Sequence, residues 1–595
     1  MKEKAKKQKN PLLNVVLEEW KYLGNQKKVY IFYLFLFTIA GSIALTTPLV
    51  IGLIFNSIQE TIGSRADFNK LIFLIFTLLI IEIGFWIFHG IARALEQRAG
   101  FFVKRNFINT KITRILELPT KWHKDHHSGD TIDKINRAGD ALANFSEHTT
   151  SRIVYATLNI FGSLIILFFI DVKIALFALI FSLTTIFIIM KVDKRLTGYY
   201  TKLNKFSNKV SAAVFDYVSN IITVITLRLK KTVSQEVDKK LMASYETHKK
   251  TIVLNEFKWG FASIAITLMT VLVLSYKAYI DYIATGVILI GTLYILYGYL
   301  EMVGRTFFSF AELYGRIVIY DSRIIGVNPI DDAFEEIKGE VKGNLPSDWN
   351  KIELKNLEFS YDLKSKKKHL EDVNIKFKRG QKIALIGESG SGKSTILAVM
   401  RGLYAPEKGG VYYKKNKLKN GFAKLKHHIT LIPQDPEIFN NTIGYNVTMD
   451  LKATKDEVIK AVQMAQFEKV LDRLEKGLKT NVMEKGVSLS GGEKQRLALA
   501  RGILAARNSD IILMDEPTSS VDSINEIKIH EQIFDEFKDK TIISSIHRLH
   551  LLEKFDYIYM FENGKIVGEG SLKELKRNSK FREIWRKYHS RGKRK

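Results

Sequence analysis

The feature that most constrains this chain is a series of long apolar stretches in its first half. A membrane-spanning helix needs about 20 mostly apolar residues, and six stretches approach or reach that length. The first two stretches meet the criterion alone. The last two are more polar, and we predict them as spans because they occur together as a pair. The sequence therefore predicts an α-helical membrane domain with six transmembrane helices, at Val29–Phe55, Leu71–Ile91, Ile153–Ile170, Ile174–Met190, Phe257–Ser275 and Gly286–Val303.

The distribution of charge predicts how these helices are oriented. Lys and Arg number 90 against 62 Asp and Glu, a formal net charge of +28. The basic residues crowd the N-terminal MKEKAKKQK and the segments between apolar stretches, which is the pattern of charge kept on the cytoplasmic side of a membrane. We therefore expect a cytoplasmic N-terminus, contact with membrane lipids, and no nucleic acid partner. An even number of spans returns the C-terminal half to the cytoplasm.

The connections between the apolar stretches differ in length. Three are short and are predicted to be outer connections: Asn56–Lys70, Asp171–Lys173 and Tyr276–Thr285. Two are long and basic, at about Ala92–Arg152 and Lys191–Glu256. Within them, Arg93–Leu118 and Leu203–Leu229 contain few helix breakers, which favours helical rods extending well beyond the membrane.

The second half has a different pattern. A segment rich in turn formers (GVNPIDD, GNLPSDWN) follows Arg323, and short β-branched strands then alternate with helices, as in βαβ units. Three such strands are Lys382–Ile386, Ile429–Ile432 and Ile511–Met514. The predicted organisation is a transmembrane domain over 1–328, a linker over 329–351, an α/β P-loop NTPase domain over 352–590 and a basic tail over 591–595. The chain has no cysteine, which excludes disulfides and thiolate chemistry.

A phosphate-binding loop follows the first of these strands. The sequence GESGSGKST has the spacing G-x-x-x-x-G-K-S, in which glycines allow backbone N–H groups to close around a polyphosphate. Lys393 would neutralise phosphate oxygens, Ser394 would offer its hydroxyl to Mg²⁺, and the following helix adds the positive end of its dipole. The predicted loop residues are Gly387, Glu388, Ser389, Gly390, Ser391, Gly392, Lys393, Ser394 and Thr395.

Two further motifs suit the same chemistry. The apolar strand IILM ends in Asp515 and Glu516; the first acid can contact Mg²⁺ and the second can polarise an attacking water. Between this strand and the phosphate loop lies LSGGEKQR, where Ser490, Gly491 and Gly492 open a helix and form a second anion cradle. Ser490 can equally be a helix N-cap, and the two interpretations are compatible.

At these motifs the chain resembles a half-size ABC exporter, with six spans fused ahead of an ABC ATPase domain. LSGGE corresponds to the family's signature sequence, with Glu493 where glutamine is usual, and DEPTS stands where many exporters have DEATS. Ser128–Asp130, after Leu118–Pro119, resembles the exporter pattern near the first inner coupling helix. The resemblance covers nearly the full length and implies ATP as the nucleotide.

The resemblance also implies roles for single residues. Tyr361 matches the aromatic that stacks on adenine, and Gln434 the glutamine that contacts Mg²⁺ and water. His547 matches the switch histidine that holds the γ-phosphate, Ser519–Asp522 the loop that bridges two ATP sites, and Glu484 a contact with the membrane domain. The implied catalytic residues are Glu516, His547, Gln434 and Lys393, and the implied Mg²⁺ ligands are Ser394, Gln434 and Asp515.

In the resembled family each ATP lies between the phosphate loop of one chain and the signature of another, so a second half-transporter is implied. The motifs are intact, which favours a homodimer over the active half of a heterodimer. The expected function is ATP-driven export of a hydrophobic or amphipathic substrate (lipid, drug or peptide) across a bacterial plasma membrane. An ATP-gated channel or sensor, or an importer, would carry the same motifs. A soluble ABC ATPase is disfavoured by the apolar stretches.

Two carboxylates fall within predicted spans, Glu82 and Glu301. Intramembrane carboxylates are costly and usually face a cavity or a partner. Tyr294, Tyr297, Glu301 and Phe308 share a helical face and could form an aromatic, anionic pocket for a cation. The alternative, that both acids are bonded within the helix bundle and the aromatics simply pack, is favoured.

Overall fold

A computed structural model describes residues 10–60, 65–337, 344–362, 367–435, 437–482, 489–583 and 585. The chain divides into two compact units. The first comprises Met1–Glu117 with His127–Phe334, and the second comprises Leu118–His126 with Glu335–Lys595. The short segment Leu118–His126 thus packs with the second unit, although its flanking helices belong to the first.

The first part of the chain is helical. In chain order its helices are α1 Pro11–Tyr22, α2 Lys27–Ala44, α3 Thr47–Gln59, α4 Arg65–Glu117, α5 Thr120–Asp125, α6 Ser128–Asn144, α7 Thr150–Ile170, α8 Val172–Ser219, α9 Ile221–Thr226, α10 Lys230–Met242, α11 Tyr245–Thr285, α12 Ile290–Ile325 and α13 Asn328–Ile337. A π-helical turn, Phe145–Thr149, joins α6 to α7.

Five helical segments of the described chain are long and apolar enough to cross a membrane, and they contain the first five predicted spans. The sixth predicted span falls in α12, which is helical but is not among these five segments. It begins at Ile290, later than predicted, because Gly286 adopts a left-handed φ of 68° and caps α11. Tyr276–Thr285, predicted to be a connection, is the last part of α11. A Lys277–Asp281 ion pair of 2.8 Å lies within that helical segment.

The first predicted span, Val29–Phe55, is two helices. Helix α2 ends at Ala44 and α3 starts at Thr47, with Pro48 in its first turn. Proline lacks the N–H needed inside a helix and its ring clashes with the preceding turn, so it is tolerated only where a helix begins. Helix α4 runs unbroken through the predicted rod to Glu117. Helix α8 ends at Ser219, short of the predicted Leu229, and α9 follows after Asn220.

The core of the helical unit forms where α12 packs against α3, α7 and α11. Leu296, Tyr299 and Leu300 of α12 are fully buried there, together with Leu167 and Met269. Small residues allow α3 and α12 to approach closely, as is common between membrane helices. Helix α13 occupies part of the segment predicted as a linker.

The second unit is built on two sheets. Its strands are β1 Lys351–Phe359, β2 Leu370–Lys378, β3 Lys382–Ile386, β4 Lys408–Tyr413, β5 Asn416–Lys417, β6 Ile429–Ile432, β7 Ile511–Asp515, β8 Thr541–Ser545, β9 Tyr557–Glu562 and β10 Lys565–Gly570. An antiparallel sheet has the order β2-β1-β4-β5, and a larger sheet has the order β10-β9-β3-β8-β7-β6.

The helices of this unit connect the strands. They are α14 Lys393–Arg401, α15 Gly421–Lys426, α16 Ile443–Thr448, α17 Lys455–Met464, α18 Glu468–Asp472, α19 Gly491–Ala506, α20 Ser523–Glu536 and α21 Leu572–Leu575. Strands β3, β8, β7 and β6 run parallel, and β3 is buried along its whole length, as expected of a sheet covered on both faces. The carboxyl ends of β3, β8 and β7 therefore lie side by side and bring their following loops together.

Candidate active site

The phosphate loop leads directly from β3 into α14. Gly387, Gly390 and Gly392 all have left-handed φ values, of 148°, 80° and 111°, which glycine adopts without strain. A Cβ on Gly387 would lie 2.3 Å from the carbonyl oxygen of Phe561, so no other residue fits there. Within this turn the backbone N–H of Ser391 donates to the carbonyl oxygen of Glu388 at 3.2 Å, and the turn leads into the start of α14, where a helix can face a phosphate.

Lys393 is the first residue of α14 and is almost fully buried. Its Nζ donates hydrogen bonds to the carbonyl oxygens of Gly387, at 2.8 Å, and Glu388, at 3.1 Å. Burial lowers the pKa of this ammonium, and the nearby carboxylates of Glu516 and Asp515 oppose that shift. The side chain is therefore held inside the loop, close to both acids at the end of β7.

Ser394 and Asp515 join the loop to the end of β7. Asp515 Oδ1 accepts hydrogen bonds from Ser394 Oγ at 3.0 Å and from Ser545 Oγ at 2.7 Å. Ser545 also accepts a bond from the backbone N–H of Glu516, at 2.9 Å. Sequence reasoning missed Ser545; its position at the end of β8, two residues before His547, was the available signal. Hydroxyl and carboxylate oxygens are the ligands that Mg²⁺ prefers, so this donor set fits the ion.

Two of the predicted catalytic side chains contact the Glu516 carboxylate. Gln434 Nε2 donates to its Oε2 at 3.0 Å, and His547 Nε2 lies 2.5 Å from its Oε1. Glu516 itself adopts a φ of 45°, which is uncommon for a residue with a side chain and is one of the backbone strains that active sites can hold. The predicted catalytic residues thus follow four different parallel strands: Lys393 follows β3, Gln434 β6, Glu516 β7 and His547 β8.

Gln495, which sequence reasoning also missed, connects α19 to this group. Its Nε2 donates to Ser519 Oγ at 2.9 Å and to the carbonyl oxygen of Glu516 at 3.3 Å. Its Oε1 accepts a bond from the backbone N–H of Ser520 at 2.8 Å. The sequence feature that could have identified Gln495 is its place in LSGGEKQR, four residues after Gly491 and hence one turn into the helix.

The signature residues begin α19. Ser490 is its N-cap and forms a capping box with Glu493: the backbone N–H of Ser490 donates to Glu493 Oε2 at 2.9 Å, and the N–H of Glu493 donates to Ser490 Oγ. Glu493 also pairs with Arg473. A Cβ added to Gly491 would meet nothing within 4 Å. The N-cap interpretation of Ser490 therefore holds, and Gly491 leaves open space at the helix start for an anion.

Tyr361 belongs to an aromatic cluster beside the phosphate loop. Its ring meets those of Phe359, His369 and Tyr404 edge-on, with centroids 4.9 to 5.0 Å apart. Its hydroxyl lies 3.4 Å from Thr395 Oγ1 of α14. The ammonium of Lys124, on α5, lies 5.4 Å from the Tyr361 centroid. The ring remains partly exposed and is braced by its neighbours, as a stacking platform requires.

The loop after Glu516 is tied to the loop after β8. Arg548 Nη1 donates to the carbonyl oxygen of Val521 at 2.9 Å and to Glu526 Oε2 at 3.0 Å. Thr518 Oγ1 donates to Glu526 Oε1 at 2.9 Å. Buried Glu526 therefore fixes the Ser519–Asp522 loop against the segment that carries His547. Glu484 lies outside the described residues.

Within the helical unit, both predicted intramembrane acids have partners on their own helices. Trp86 Nε1 donates to Glu82 at 2.9 Å, and Arg305 pairs with Glu301 at 2.6 Å. The rings of Tyr294 and Tyr297 lie with centroids 6.5 Å apart. Since Arg305 matches the charge of Glu301, this arrangement supports the structural interpretation of that acid over a cation pocket.

Comparison with known proteins agrees with this architecture. Residues 30–306 match the family described as ABC transporter transmembrane region, and residues 370–519 match the ABC transporter ATP-binding family. The chain is 26% identical over 576 residues to a Rickettsia prowazekii protein named as an export ATP-binding/permease protein, covering 95% of this chain and 97% of that one. It is 28% identical over 470 residues to a Staphylococcus aureus protein named as a multidrug export ATP-binding/permease protein, covering 77% and 79%.

Among solved structures, the fold is similar to that of a bacterial Atm1-family ABC exporter with ATP bound. The TM-score is 0.80 at 20% identity, over 94% of this chain and 99% of that one. A helical membrane unit followed by an α/β unit with a phosphate loop and an acid pair defines an ATP-hydrolysing membrane transporter. The chain belongs to the ABC transporter family, as a polypeptide that joins a transmembrane region to an ATP-binding domain.

Proposed function

We propose that this chain is a homodimeric exporter of hydrophobic or amphipathic substrates, driven by ATP hydrolysis at Glu516. One observation carries the catalytic part: Gln434 and His547 both contact the Glu516 carboxylate, next to the Ser394–Asp515 pair. The proposed chain organisation is a transmembrane domain over 1–328, a linker over 329–351 and an ATP-binding domain over 352–590. We place the protein in a bacterial plasma membrane with the ATP-binding domain in the cytoplasm.

The proposed roles follow from the side chains. Glu516 accepts a proton from the attacking water while Gln434 orients it. Lys393 and His547 stabilise charge on the γ-phosphate, and the loop from Gly387 to Thr395 holds the polyphosphate. Mg²⁺ would be held by Ser394, Gln434 and Asp515, where it neutralises phosphate charge. Tyr361 stacks on adenine, and Ser490, Gly491 and Gly492 bind the γ-phosphate of the partner's nucleotide.

A cavity in the helical unit supports the substrate class. It has a volume of about 610 Å³ and lies between the start of α1 and helices α8 and α12. Its lining is mainly apolar, with charged residues at one side, and includes Ile189, Met190, Phe307, Asp193 and Lys194. Such a mixture suits an amphipathic molecule with an apolar body and a polar head.

The test is ATPase activity of the purified full chain in lipid vesicles, alone and with a panel of lipids and cationic drugs. Glu516→Gln should abolish hydrolysis while ATP still binds, since it removes only the proton acceptor. Met190→Trp should reduce stimulation by substrate and leave basal activity unchanged. Unchanged hydrolysis in Glu516→Gln would overturn the catalytic assignment. Vesicles with outward-facing ATP-binding domains that accumulate the stimulating compound against its gradient would establish pumping; dissipation of the gradient would establish a channel.

A further inference from the structure

Two acidic side chains are buried together where α1 meets α2, α4 and the π-helical turn. Glu19 of α1 is 1% exposed and Glu96 of α4 is fully buried. An isolated buried carboxylate is very unfavourable in its charged form, so each needs either a cation or a proton. We call Glu19 and Glu96 the buried acid pair.

Within the part of the chain that the structure describes, the cation in contact with this pair is Arg93, and it contacts Glu96. Arg93 Nη1 lies 2.5 Å from Glu96 Oε2, and the backbone N–H of Ser151 donates to Glu96 Oε1 at 3.0 Å. The Arg93 guanidinium also contacts the carbonyl oxygen of Glu147 and the Nδ1 of His148 in the π-helical turn. Burial raises the pKa of the Glu96 carboxyl, and the bonds from Ser151 and Arg93 oppose that rise. Glu96 is therefore better stabilised as an anion than an unpaired carboxylate at the same place would be.

Glu19 has a different environment. Tyr30 OH donates to its Oε2 at 3.2 Å. Its Oε1, the hydroxyl of Tyr33 and the hydroxyl of Ser146 have no hydrogen-bond partner within the described residues, and all three side chains are at least 99% buried. Buried polar atoms without partners are rare in folded proteins and need an explanation. A proton would remove the uncompensated charge and provide a donor in this cluster.

The charged groups on the surrounding elements do not neutralise Glu19. Tyr30 and Tyr33 of α2 and Ser146 of the π-helical turn are neutral, and Glu96 adds like charge. On α12, Asp321 is bonded to Asn14 of α1 rather than to Glu19. On α1 itself, Lys21 pairs with Glu18. Burial raises the pKa of the Glu19 carboxyl to about 7, with Glu96 adding to the rise and the nearby hydroxyls opposing it.

We infer that Glu19 is a proton-binding site, and that its proton keeps α1 seated against α2, α4 and the π-helical turn. In the protonated state Glu19 is a neutral hydrogen-bonding group. After the proton leaves, its carboxylate faces the Glu96 carboxylate in a buried space, which repels α1. This site is separate from the ATP site and does not depend on the proposed transport function.

Infrared titration of the full chain in lipid tests this assignment. A protonated-carboxyl C=O band should be present at pH 6, decrease with a midpoint near pH 7, and be absent from Glu19→Gln. Glu18→Gln, at the partly exposed neighbouring position on α1 that pairs with Lys21, should retain the band. Loss of the band in Glu96→Gln instead, or no band in the native chain between pH 5 and 8, would overturn the inference.

A second variant keeps the test valid if Glu19→Gln misfolds. Tyr30→Phe removes a donor to the charged form of Glu19 and should move the midpoint to higher pH. Hydrogen exchange of the α1 backbone amides should increase several-fold across the same midpoint in the native chain and be independent of pH in Glu19→Gln, after correction for intrinsic exchange. A midpoint that Tyr30→Phe leaves unchanged, or α1 exchange that does not follow the titration, would contradict the proposal.

Discussion

The side-chain amide of Gln495 joins the signature helix α19 to Ser519, with Nε2 to Oγ at 2.9 Å. The same side chain accepts a bond from the backbone N–H of Ser520. Ser519 and Ser520 lie in the loop that leaves the acid pair, so Gln495 controls how that loop sits relative to α19. This relationship gives Gln495 a positioning role, because it contacts the loop and not the reacting atoms.

We expect Gln495→Ala to lower kcat for ATP hydrolysis about tenfold with little change in KM. The substitution removes the hydrogen bonds to Ser519, to Ser520 and to the carbonyl oxygen of Glu516, each worth about 1 kcal/mol. Because these bonds position a loop and do not touch the reacting atoms, we expect only about 1.4 kcal/mol of the loss to appear in the activation barrier, which is a factor of ten in rate. Steady-state ATPase kinetics in lipid measure both constants. Gln463→Ala, on the exposed surface of α17, is the control and should leave both unchanged. An equal effect on KM alone would indicate a role in binding rather than in positioning.

The exposed ring of Tyr361 leads to a prediction about the affinity for ATP. Tyr361→Ala should weaken ATP binding about tenfold, since stacking of a base on an aromatic ring contributes about 1–3 kcal/mol. Tyr361→Phe keeps the ring and loses only the long contact to Thr395, so its Kd should stay within about twofold of the native value by the same reasoning. Calorimetric titration with ATP in the Glu516→Gln background measures these constants without hydrolysis. Equal weakening by both substitutions would mean that the hydroxyl, not the ring, binds the nucleotide.

The sequence predicted the strands that position the site better than it predicted the membrane helices. Strands β3 and β6 have the predicted bounds, and β7 extends one residue further, to Asp515. Short β-branched runs next to glycine-rich turns have few alternative structures. In the helical unit, apolarity alone did not reveal the break at Pro48 or the capping of α11 by Gly286, since both depend on backbone geometry at a single residue.

The hydrogen bonds that hold the site together were harder to predict from the sequence. Gln495, Ser545 and Glu526 are polar residues whose importance arises from which loops the parallel sheet brings side by side. Their partners lie 8 to 30 residues away in the chain, and no local periodicity records such pairings. The same holds for Glu19, which is buried because α1 packs against α12, α4 and α6 and because Tyr30 of α2 contacts its carboxyl.

The ion pairs of Asp331 lead to a prediction of how the free energy of unfolding depends on pH. Its carboxylate pairs with the buried Lys111 and with Arg114, each at 2.7 Å. Burial opposes the charge of Asp331, yet these two cations hold its pKa below the ordinary 3.8. Because the folded pKa is depressed, the contribution to stability is present above the unfolded pKa and is lost as pH falls through the folded pKa.

Asp331→Asn should therefore lower the free energy of unfolding by about 3 kcal/mol at neutral pH, because it leaves Lys111 buried without its anion. The difference between variant and native chain should begin to shrink as the pH falls below the unfolded pKa of 3.8, and should vanish only below the lower folded pKa, where the native carboxyl is protonated too. Thermal unfolding of both proteins in detergent at several pH values measures this difference in stability. Glu236→Gln, which breaks an exposed pair with Lys240, should leave the stability almost unchanged, since exposed pairs contribute little. A pH-independent difference would contradict the ion-pair explanation.

Because α3 and α12 approach each other closely, we expect one methyl group added at their contact to lower the stability of the protein. A Cβ on Gly291 would lie 2.0 Å from the carbonyl oxygen of Gly52, and Gly291 N–H also donates to Asn56 Oδ1 at 2.9 Å. Gly291→Ala must separate the two helices and should lower the free energy of unfolding by about 1–3 kcal/mol. Gly260→Ala, in the middle of α11, is the matched control: its Cβ would meet nothing within 4 Å. Alanine is the better helix former by about 1 kcal/mol, so this variant should be as stable as the native chain or more so. Thermal unfolding of both variants in lipid measures the contrast, and a Gly291→Ala variant as stable as Gly260→Ala would mean that α3 and α12 do not pack this closely.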